Sequence, residues 1–226
     1  MDLFRHQRAG GPAGVWMAKV EYDTVAFPFQ QIVARDIYGV SELALLHRAQ
    51  AEREQWRGDE RAGYHANLRL RERMKGLAED CQLYQAYHGF ARSVIAAAFG
   101  GKIAYANQPK WRVHLAHTCS VSAWHCDAQV TRRSDQLTVW VPFVDVDEGC
   151  AMHVETGYGR GDFAPVTLRY GQALIFDGGY LAHGTVHNHT EVTRVSMDMR
   201  FACHRGTTAS FERLREARPS PLPTWA

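Results

Sequence analysis

Apolar residues recur at helical spacing through the first half of the chain. Steps of three and four residues predict one helix over 77–99, ended by the Gly100-Gly101 pair, and an irregular apolar face predicts another over 41–56. Ser41 is the expected N-cap of the earlier helix. Arginines that alternate with apolar and acidic residues over 69–73 predict a solvated helix face. Residues 1–110 are therefore expected to form a mainly helical cover.

After Trp111 the pattern changes to short apolar runs separated by turn residues, which is typical of strands. Many short strands at this spacing indicate a jelly roll or barrel rather than a parallel α/β sheet. The predicted organisation is one domain over 1–226, with a jelly-roll core at 111–204 and a tail at 205–226. The predicted strands are Arg112–His117, Ala123–Val130, Gln136–Val144, Ala151–Glu155, Val166–Leu168, Gln172–Phe176 and Val192–Cys203.

The last predicted strand alternates two kinds of side chain. Because neighbouring residues of a strand point to opposite faces, its apolar members share one face and its polar members the other. We expect the apolar face to pack under the N-terminal helices and the polar face to line the barrel, where charged groups need partners. The polar face comprises Arg194, Ser196, Asp198 and Arg200, and the apolar face Val195, Met197, Met199 and Phe201.

Composition narrows the class of protein. The chain has 226 residues, 46% of them hydrophobic and 22% charged, which is ordinary for one globular domain. A formal net charge of +2 indicates neither a nucleic-acid nor a membrane partner. The first residues, Met1 to Gly14, lack the apolar core of a signal peptide. Five cysteines without CxxC spacing argue against a disulfide framework or zinc knuckle, so a cytoplasmic protein that binds a small molecule is expected.

Metal-ligand spacing appears in the second half of the chain. On an extended strand His125 and Asp127 project to one face, and a later His183 completes two imidazoles and one carboxylate. That set is diagnostic of non-heme Fe(II) oxygenases. The alternative is a structural zinc site or ordinary buried histidines. Arg194 and Ser196, which follow His183, suit a bound carboxylate and favour iron, since a zinc site needs no such clamp.

Three segments carry a resemblance to a known family: WHCDAQ (124–129), LTVWVPF (137–143) and HGTVHNHTEVTRVSMDMRF (183–201). They resemble the Fe(II)/2-oxoglutarate dioxygenases, in the branch similar to phytanoyl-CoA hydroxylase. Within that branch, the run over 124–200 is most similar to small oxygenases encoded in aminoglycoside gene clusters of the streptomycin and hygromycin type.

The resemblance implies a fold, a cofactor and two co-substrates. The fold is mainly β with N-terminal helices, a double-stranded β-helix (jelly roll, cupin-like). Fe(II) would be bound by His125, Asp127 and His183, with 2-oxoglutarate and O2 as co-substrates. Arg194 and Ser196 would take the distal carboxylate of 2-oxoglutarate. Trp140 and Thr185 match further positions of the family's co-substrate pocket.

The same resemblance implies a small polar secondary metabolite as substrate, an amino sugar or aminocyclitol, and leaves hydroxylation, oxidative cyclisation and epimerisation open. A cationic ring needs carboxylate partners. We therefore expect at least one of Glu155, Asp162 and Asp177 to face the open side of the metal site. Other candidate substrate contacts are Arg112, His114, Tyr158 and Arg160.

Rival functions remain at this stage. An oxygenase of the same chemistry can act on an amino acid or an acyl substrate. Halogenases of the family replace the carboxylate ligand with a small residue, so the presence of Asp127 argues against halogenation. A non-catalytic cupin-like module that binds a metal or sugar would share the barrel but would have no use for the carboxylate clamp at Arg194.

Overall fold

The computed structural model describes residues 17–54 and 60–203. The predicted tail at 205–226 and the opening segment from Met1 to Gly14 lie outside these residues. No helix within the described ranges has the length and apolar character needed to cross a membrane.

Two antiparallel sheets form the centre of the molecule. The larger has six strands in the order β1-β7-β4-β9-β2, with β3 also paired to β9, and the smaller has the order β6-β5-β8. This is the predicted jelly roll with N-terminal helices. The strands are β1 Met17–Glu21, β2 Ile103–Tyr105, β3 Lys110–His114, β4 Gln136–Pro142, β5 Met152–Glu155, β6 Phe163–Val166, β7 Gln172–Phe176, β8 His183–Gly184 and β9 Arg194–Cys203.

Helices cover one face of the larger sheet. Two of them run through π-helical turns, at Ile32–Tyr38 after α1 and at Ala91–Ile95 between α4 and α5. Short 3-10 turns lie at Leu43–Leu45 and Glu148–Cys150. The α-helices are α1 Phe29–Gln31, α2 Leu46–Glu54, α3 Glu60–Lys75, α4 Gln82–Phe90, α5 Ala96–Ala98 and α6 Asp127–Thr131.

The apolar face of β9 packs under these helices, as its alternation predicts. Val195, Met197, Met199 and Phe201 are all fully buried. Phe99, after α5, meets Phe201 with ring centroids 4.9 Å apart. The opposite face of β9 is turned toward the smaller sheet, so the polar residues of the strand lie inside the jelly roll.

The predicted strand over Ala123–Val130 is wrong. His125 forms only an isolated bridge with His183, and the chain then turns into α6. Cys126 occupies the N-cap position of α6 with extended backbone angles, so Asp127 stands in the first turn, where the helix dipole favours a carboxylate. The helix ends after one turn, at Arg132 with a φ of 59°.

Several predicted boundaries also move. The helix expected over 77–99 begins at Gln82, because residues 78–81 form a turn closed by the bond from the Cys81 N–H to the Ala78 carbonyl. Ser41 is not an N-cap: Glu42 precedes the first helical turn of that segment. The strand expected over 166–168 lies earlier, at Phe163–Val166.

Candidate active site

Three candidate metal ligands converge between the two sheets. The ligand atoms of His125, Asp127 and His183 all lie within 4.8 Å of one another. His125 Nε2 is 3.4 Å from Asp127 Oδ1, and His183 Nε2 is 4.0 Å from Asp127 Oδ2. His125 and His183 are bridged across strands, whereas Asp127 arrives from the start of α6. Two imidazoles and one carboxylate at this spacing fit one metal ion.

Both imidazole rings are oriented by the backbone. His125 Nδ1 lies 2.8 Å from the Ala123 carbonyl oxygen, and His183 Nδ1 lies 3.0 Å from that of Leu181. A carbonyl oxygen only accepts, so each Nδ1 carries the proton and donates it, and each Nε2 keeps a lone pair for a metal. Burial lowers the pKa of His183, which favours the neutral, ligating form.

Asp127 is anchored by two side chains of the larger sheet. Thr138 Oγ1 donates a hydrogen bond of 2.5 Å to Oδ2, and Arg200 forms an ion pair with Oδ1. Burial alone would raise the pKa of Asp127, but its polar neighbours outweigh this effect, among them the charge of Arg200 and the hydrogen bond from Thr138. The pKa of Asp127 therefore lies below its ordinary range, and the carboxylate is ionised and fixed in direction.

Gly178 permits the close approach of Asp127 to β4. The Asp127 N–H donates to the Gly178 carbonyl oxygen at 2.7 Å. A Cβ at position 178 would collide with Thr138 Oγ1 and would lie 2.9 Å from Asp127 Oδ2. Only a residue without a side chain fits there.

A Gly178→Ala variant is expected to bind Fe(II) about 10- to 100-fold more weakly, the usual cost of disturbing groups that orient metal ligands. Gly179→Ala is the matched control, because its Cβ would approach only to 3.5 Å of Asp177 Oδ1 and the Gln136 carbonyl oxygen. Anaerobic Fe(II) titration measures both variants. Equal affinities would show that Gly178 does not set the position of Asp127.

The expected carboxylate clamp lies deeper in the jelly roll. Arg194 is 4% exposed, and its Nη1 donates to the Cys150 carbonyl oxygen at 2.8 Å. Its Nη2 lies 3.4 Å from Thr185 Oγ1, and its Cζ is 5.8 Å from the centre of the Trp140 ring. The structure thus brings together Arg194, Thr185 and Trp140, with Ser196 two residues along the same face of β9.

Two buried polar atoms of this pocket lack partners. Among the described residues, Arg194 Nε and Ser196 Oγ make no hydrogen bond. Burial lowers the pKa of Arg194 to about 10, so the guanidinium is still charged at neutral pH. A buried guanidinium N–H and a buried hydroxyl that make no hydrogen bond are both costly. A bound carboxylate would accept a hydrogen bond from each of them. The residues of this pocket therefore fit a co-substrate that carries a carboxylate.

The two predicted substrate contacts on β3, His114 and Arg112, have different neighbours. His114 is buried in register with Arg194, and its Nε2 lies 2.8 Å from the Thr118 carbonyl oxygen. Burial lowers the pKa of His114 to about 3, so its ring is neutral. Arg112 donates through Nε to Asp198 Oδ2 at 2.7 Å and through Nη1 to Ser122 Oγ at 2.5 Å. The ion pair satisfies the expectation that Asp198 has a charged neighbour.

The remaining substrate candidates lie elsewhere. Glu155 is fully buried and accepts the backbone N–H groups of Gly161 and Ala182, at 2.8 and 3.2 Å. Asp177 is also fully buried and accepts the Tyr158 hydroxyl at 2.9 Å.

Arg160 and Asp162 form a half-exposed ion pair of 3.1 Å. Like Glu155, Tyr158 and Asp177, neither lines the cavity beside His125. The structure thus gives no support to the expectation that Glu155, Asp162 or Asp177 faces the open side of the metal site.

That cavity has a volume of about 410 Å³ and reaches the metal centre at His125. Its walls come from the end of α3, the start of β3, the loop over 121–125, and β9. Arg112 is the one predicted substrate contact in its lining. The sequence did not predict the other basic residues of the lining, which are Arg71, Lys75, Lys110 and Arg200. Arg200 was expected only on the polar face of β9. Arg71 and Lys75 are four apart on one helix, but nothing local indicates that α3 packs against β3.

Comparison with known proteins supports the fold. No known family profile matches the chain. The solved structure of AviO1 from Streptomyces viridochromogenes Tue57 covers 92% of this chain and 93% of its own, with a TM-score of 0.54 and 13% identity. EvdO2 from Micromonospora carbonacea var. aurantiaca covers 84% and 87%, with a TM-score of 0.50 and 13% identity. This chain has their fold. Identity at this level shows nothing further.

A curated sequence relative is more similar over a shorter stretch. The streptomycin biosynthesis protein StrG of Streptomyces griseus is 35% identical over 92 residues. That stretch is 41% of this chain and 43% of StrG, so the match spans less than half of either protein.

Proposed function

We propose that the protein is an Fe(II)- and 2-oxoglutarate-dependent oxygenase that acts on a small polar secondary metabolite in antibiotic biosynthesis. One observation carries the proposal: Arg194 Nε and Ser196 Oγ have no hydrogen-bond partner within the described part of the chain, and they lie in the same jelly roll as the cluster of His125, Asp127 and His183. A metal-binding or sugar-binding module would have no reason to bury an unpaired guanidinium.

The residues present fit both groups. His125, Asp127 and His183 would bind Fe(II) through Nε2, a carboxylate oxygen and Nε2, and Arg194 with Ser196 would take the distal carboxylate of 2-oxoglutarate. Bound together, iron and 2-oxoglutarate supply an O2-dependent oxidation that yields succinate and CO2.

The chain itself binds and orients these groups. Ala123 and Leu181 fix the imidazole rings through their carbonyl oxygens, Thr138 and Arg200 fix the carboxylate of Asp127, and the buried wall of Trp140 excludes water beside Arg194.

Similarity to other proteins supports the assignment to antibiotic biosynthesis. StrG is named for streptomycin biosynthesis, and EvdO2 has also been solved in complex with 2-oxoglutarate. We take the class of pathway from the similarity to StrG and the co-substrate from the EvdO2 complex. Hydroxylation, oxidative cyclisation and epimerisation all begin with the same oxidation, and the choice among them depends on the substrate.

The test is succinate formation from 2-oxoglutarate in air, with Fe(II) added to metal-free protein. Slow succinate formation is expected with Fe(II) and none with Zn(II), which cannot change its oxidation state. The true substrate class should accelerate succinate formation. The panel of small molecules therefore includes amino sugars, aminocyclitols and their phosphate esters, free amino acids and acyl thioesters. No succinate under any condition would contradict the proposed function and favour a non-catalytic module.

A further inference from the structure

The cavity beside His125 is lined by basic side chains. Among the residues that the structure describes, Glu72 is the one acidic residue of the lining. That carboxylate is already engaged, because Lys75 Nζ lies 3.2 Å from it and Arg71 Nη2 lies 3.5 Å from it. The basic residues of the lining are Arg71, Lys75, Lys110, Arg112 and Arg200. A cavity with this lining attracts anions.

Two arginines of the lining, Arg112 and Arg200, are held in place by other side chains of the protein. Arg112 is held by Asp198 and Ser122 through Nε and Nη1, and Arg200 is held by Asp127 through Nη2. Arg200 Nε is buried without a hydrogen-bond partner among the described residues. Only 18% of the Arg112 side chain and 12% of the Arg200 side chain are exposed. Each guanidinium therefore presents its remaining N–H groups in a fixed direction.

Two further cations lie nearer the rim. Lys110 is exposed and stands two residues before Arg112 on β3, so both point to the same face. Lys75, at the end of α3, contributes a second exposed ammonium, with 65% of its side chain accessible to solvent. Fixed guanidinium groups with exposed ammonium groups around them suit a phosphate group, which offers three or more acceptor oxygens and up to two charges.

We infer that the substrate carries a phosphate ester, and that the cavity binds this phosphate while the ring to be oxidised lies at His125. The inference rests on the proposed function and names its substrate class: a phosphorylated sugar or cyclitol rather than a free cationic one. A volume of about 410 Å³ suits such a small molecule, since ligand pockets range over roughly 300–1,000 Å³. A free aminocyclitol would place ammonium groups against Arg112 and Arg200 with no carboxylate of the lining left to receive them.

This assignment places the reaction between two others. A phosphoryl transfer to a hydroxyl of the sugar or cyclitol must precede it to supply the substrate. A step that hydrolyses or displaces the phosphate must follow wherever the final product lacks it.

The test is calorimetric binding, without O2, to protein loaded with Fe(II) and 2-oxoglutarate. The probes are two matched pairs, glucosamine with glucosamine 6-phosphate and myo-inositol with myo-inositol 1-phosphate, together with glucuronate and N,S-diacetylcysteamine, an acyl thioester that carries no phosphate. In at least one pair the phosphate ester is expected to bind about tenfold or more tightly than its parent, the value of one good charged hydrogen bond. Added salt should reduce the difference, because the rim is exposed to solvent.

A Lys110→Glu variant should lose most of this preference. Lys102→Glu is the matched control, an exposed lysine outside the cavity that undergoes the same change of charge. The inference is overturned if both members of each pair bind equally, if the free amine binds more tightly, or if Lys110→Glu leaves the preference unchanged. The inference is also overturned if glucuronate or N,S-diacetylcysteamine binds as tightly as the better phosphate ester, since the substrate would then carry a carboxylate or an acyl thioester.

Binding is measured as heat and turnover as succinate, so the two proposals fail separately. A preference for phosphate esters without any succinate keeps the anion site and contradicts the oxygenase. Succinate formation without the preference keeps the oxygenase and contradicts the phosphate ester.

Discussion

An Asp127→Ala variant is expected to lose Fe(II)-dependent turnover and to bind Fe(II) at least about 100-fold more weakly, since even residues that only orient metal ligands cost 10- to 100-fold. Asp127 is the one anionic member of the three-residue cluster, and Arg200 and Thr138 hold its carboxylate ionised. Anaerobic Fe(II) titration and the succinate assay measure the two effects.

Loss of folding has to be separated from loss of the ligand. Removing Asp127 leaves the mostly buried Arg200 without its carboxylate, and breaking a buried pair costs up to about 3–5 kcal/mol. The double variant Asp127→Ala with Arg200→Met removes both charges, so it should recover much of the thermal stability and none of the Fe(II) affinity. Full Fe(II) affinity and activity in a folded Asp127→Ala protein would exclude Asp127 as a ligand.

An Arg194→Lys variant is expected to raise the KM for 2-oxoglutarate by about 10- to 150-fold, which corresponds to the loss of roughly 1.5–3 kcal/mol of charged hydrogen bonding. Lysine keeps the charge but lacks the planar fork that presents Nε and Nη groups to a carboxylate. The KM for the prime substrate should change far less.

Arg169→Lys is the matched control for this variant, because that guanidinium is 79% exposed and forms a surface ion pair with Asp145. Initial rates at varied 2-oxoglutarate and varied prime substrate separate the two constants. An unchanged KM for 2-oxoglutarate with a raised KM for the substrate would mean that Arg194 binds the substrate instead.

Strand β9 shows what the sequence predicts well. Its strict alternation has a period of two, and one face must be buried, so a shift by one residue would turn Met197 and Met199 out of the core. The alternation therefore predicted both the strand and the direction of Arg194 and Ser196. The unpaired state of Arg194 Nε was beyond prediction, because it depends on which backbone carbonyls the Cys150 turn presents.

Around the metal centre the residues were predicted and the local structure was not. His125 and Asp127 were expected to share a strand face, whereas Asp127 reaches the site from the first turn of α6. A histidine and an aspartate two residues apart look the same in the sequence whether both lie on a strand or the aspartate begins a helix. The deciding contacts, from Asp127 to Gly178 and to Thr138, join segments that are far apart along the chain.

The first strand and the basic cavity were missed for a similar reason. β1 has five residues and pairs with β7 more than 150 positions later, so its pattern alone is too short to identify it. The cavity joins α3, β3 and β9, and its charge emerges only when Arg71, Lys110 and Arg200 meet in space. Of the predicted substrate contacts, Arg112 lies in this lining, and those in the loop near Tyr158 stay predictions.

The central claim is that a metal ion at His125, Asp127 and His183 and the carboxylate clamp at Arg194 bind one ligand together. Its most direct test is anaerobic calorimetric titration of 2-oxoglutarate into metal-free and Fe(II)-loaded protein, with glutarate as the analogue that lacks the 2-oxo group. We expect Fe(II) to strengthen the binding of 2-oxoglutarate at least about tenfold, which is about 1.4 kcal/mol, and to leave glutarate unaffected. Equal affinity of 2-oxoglutarate for the two forms would contradict the claim.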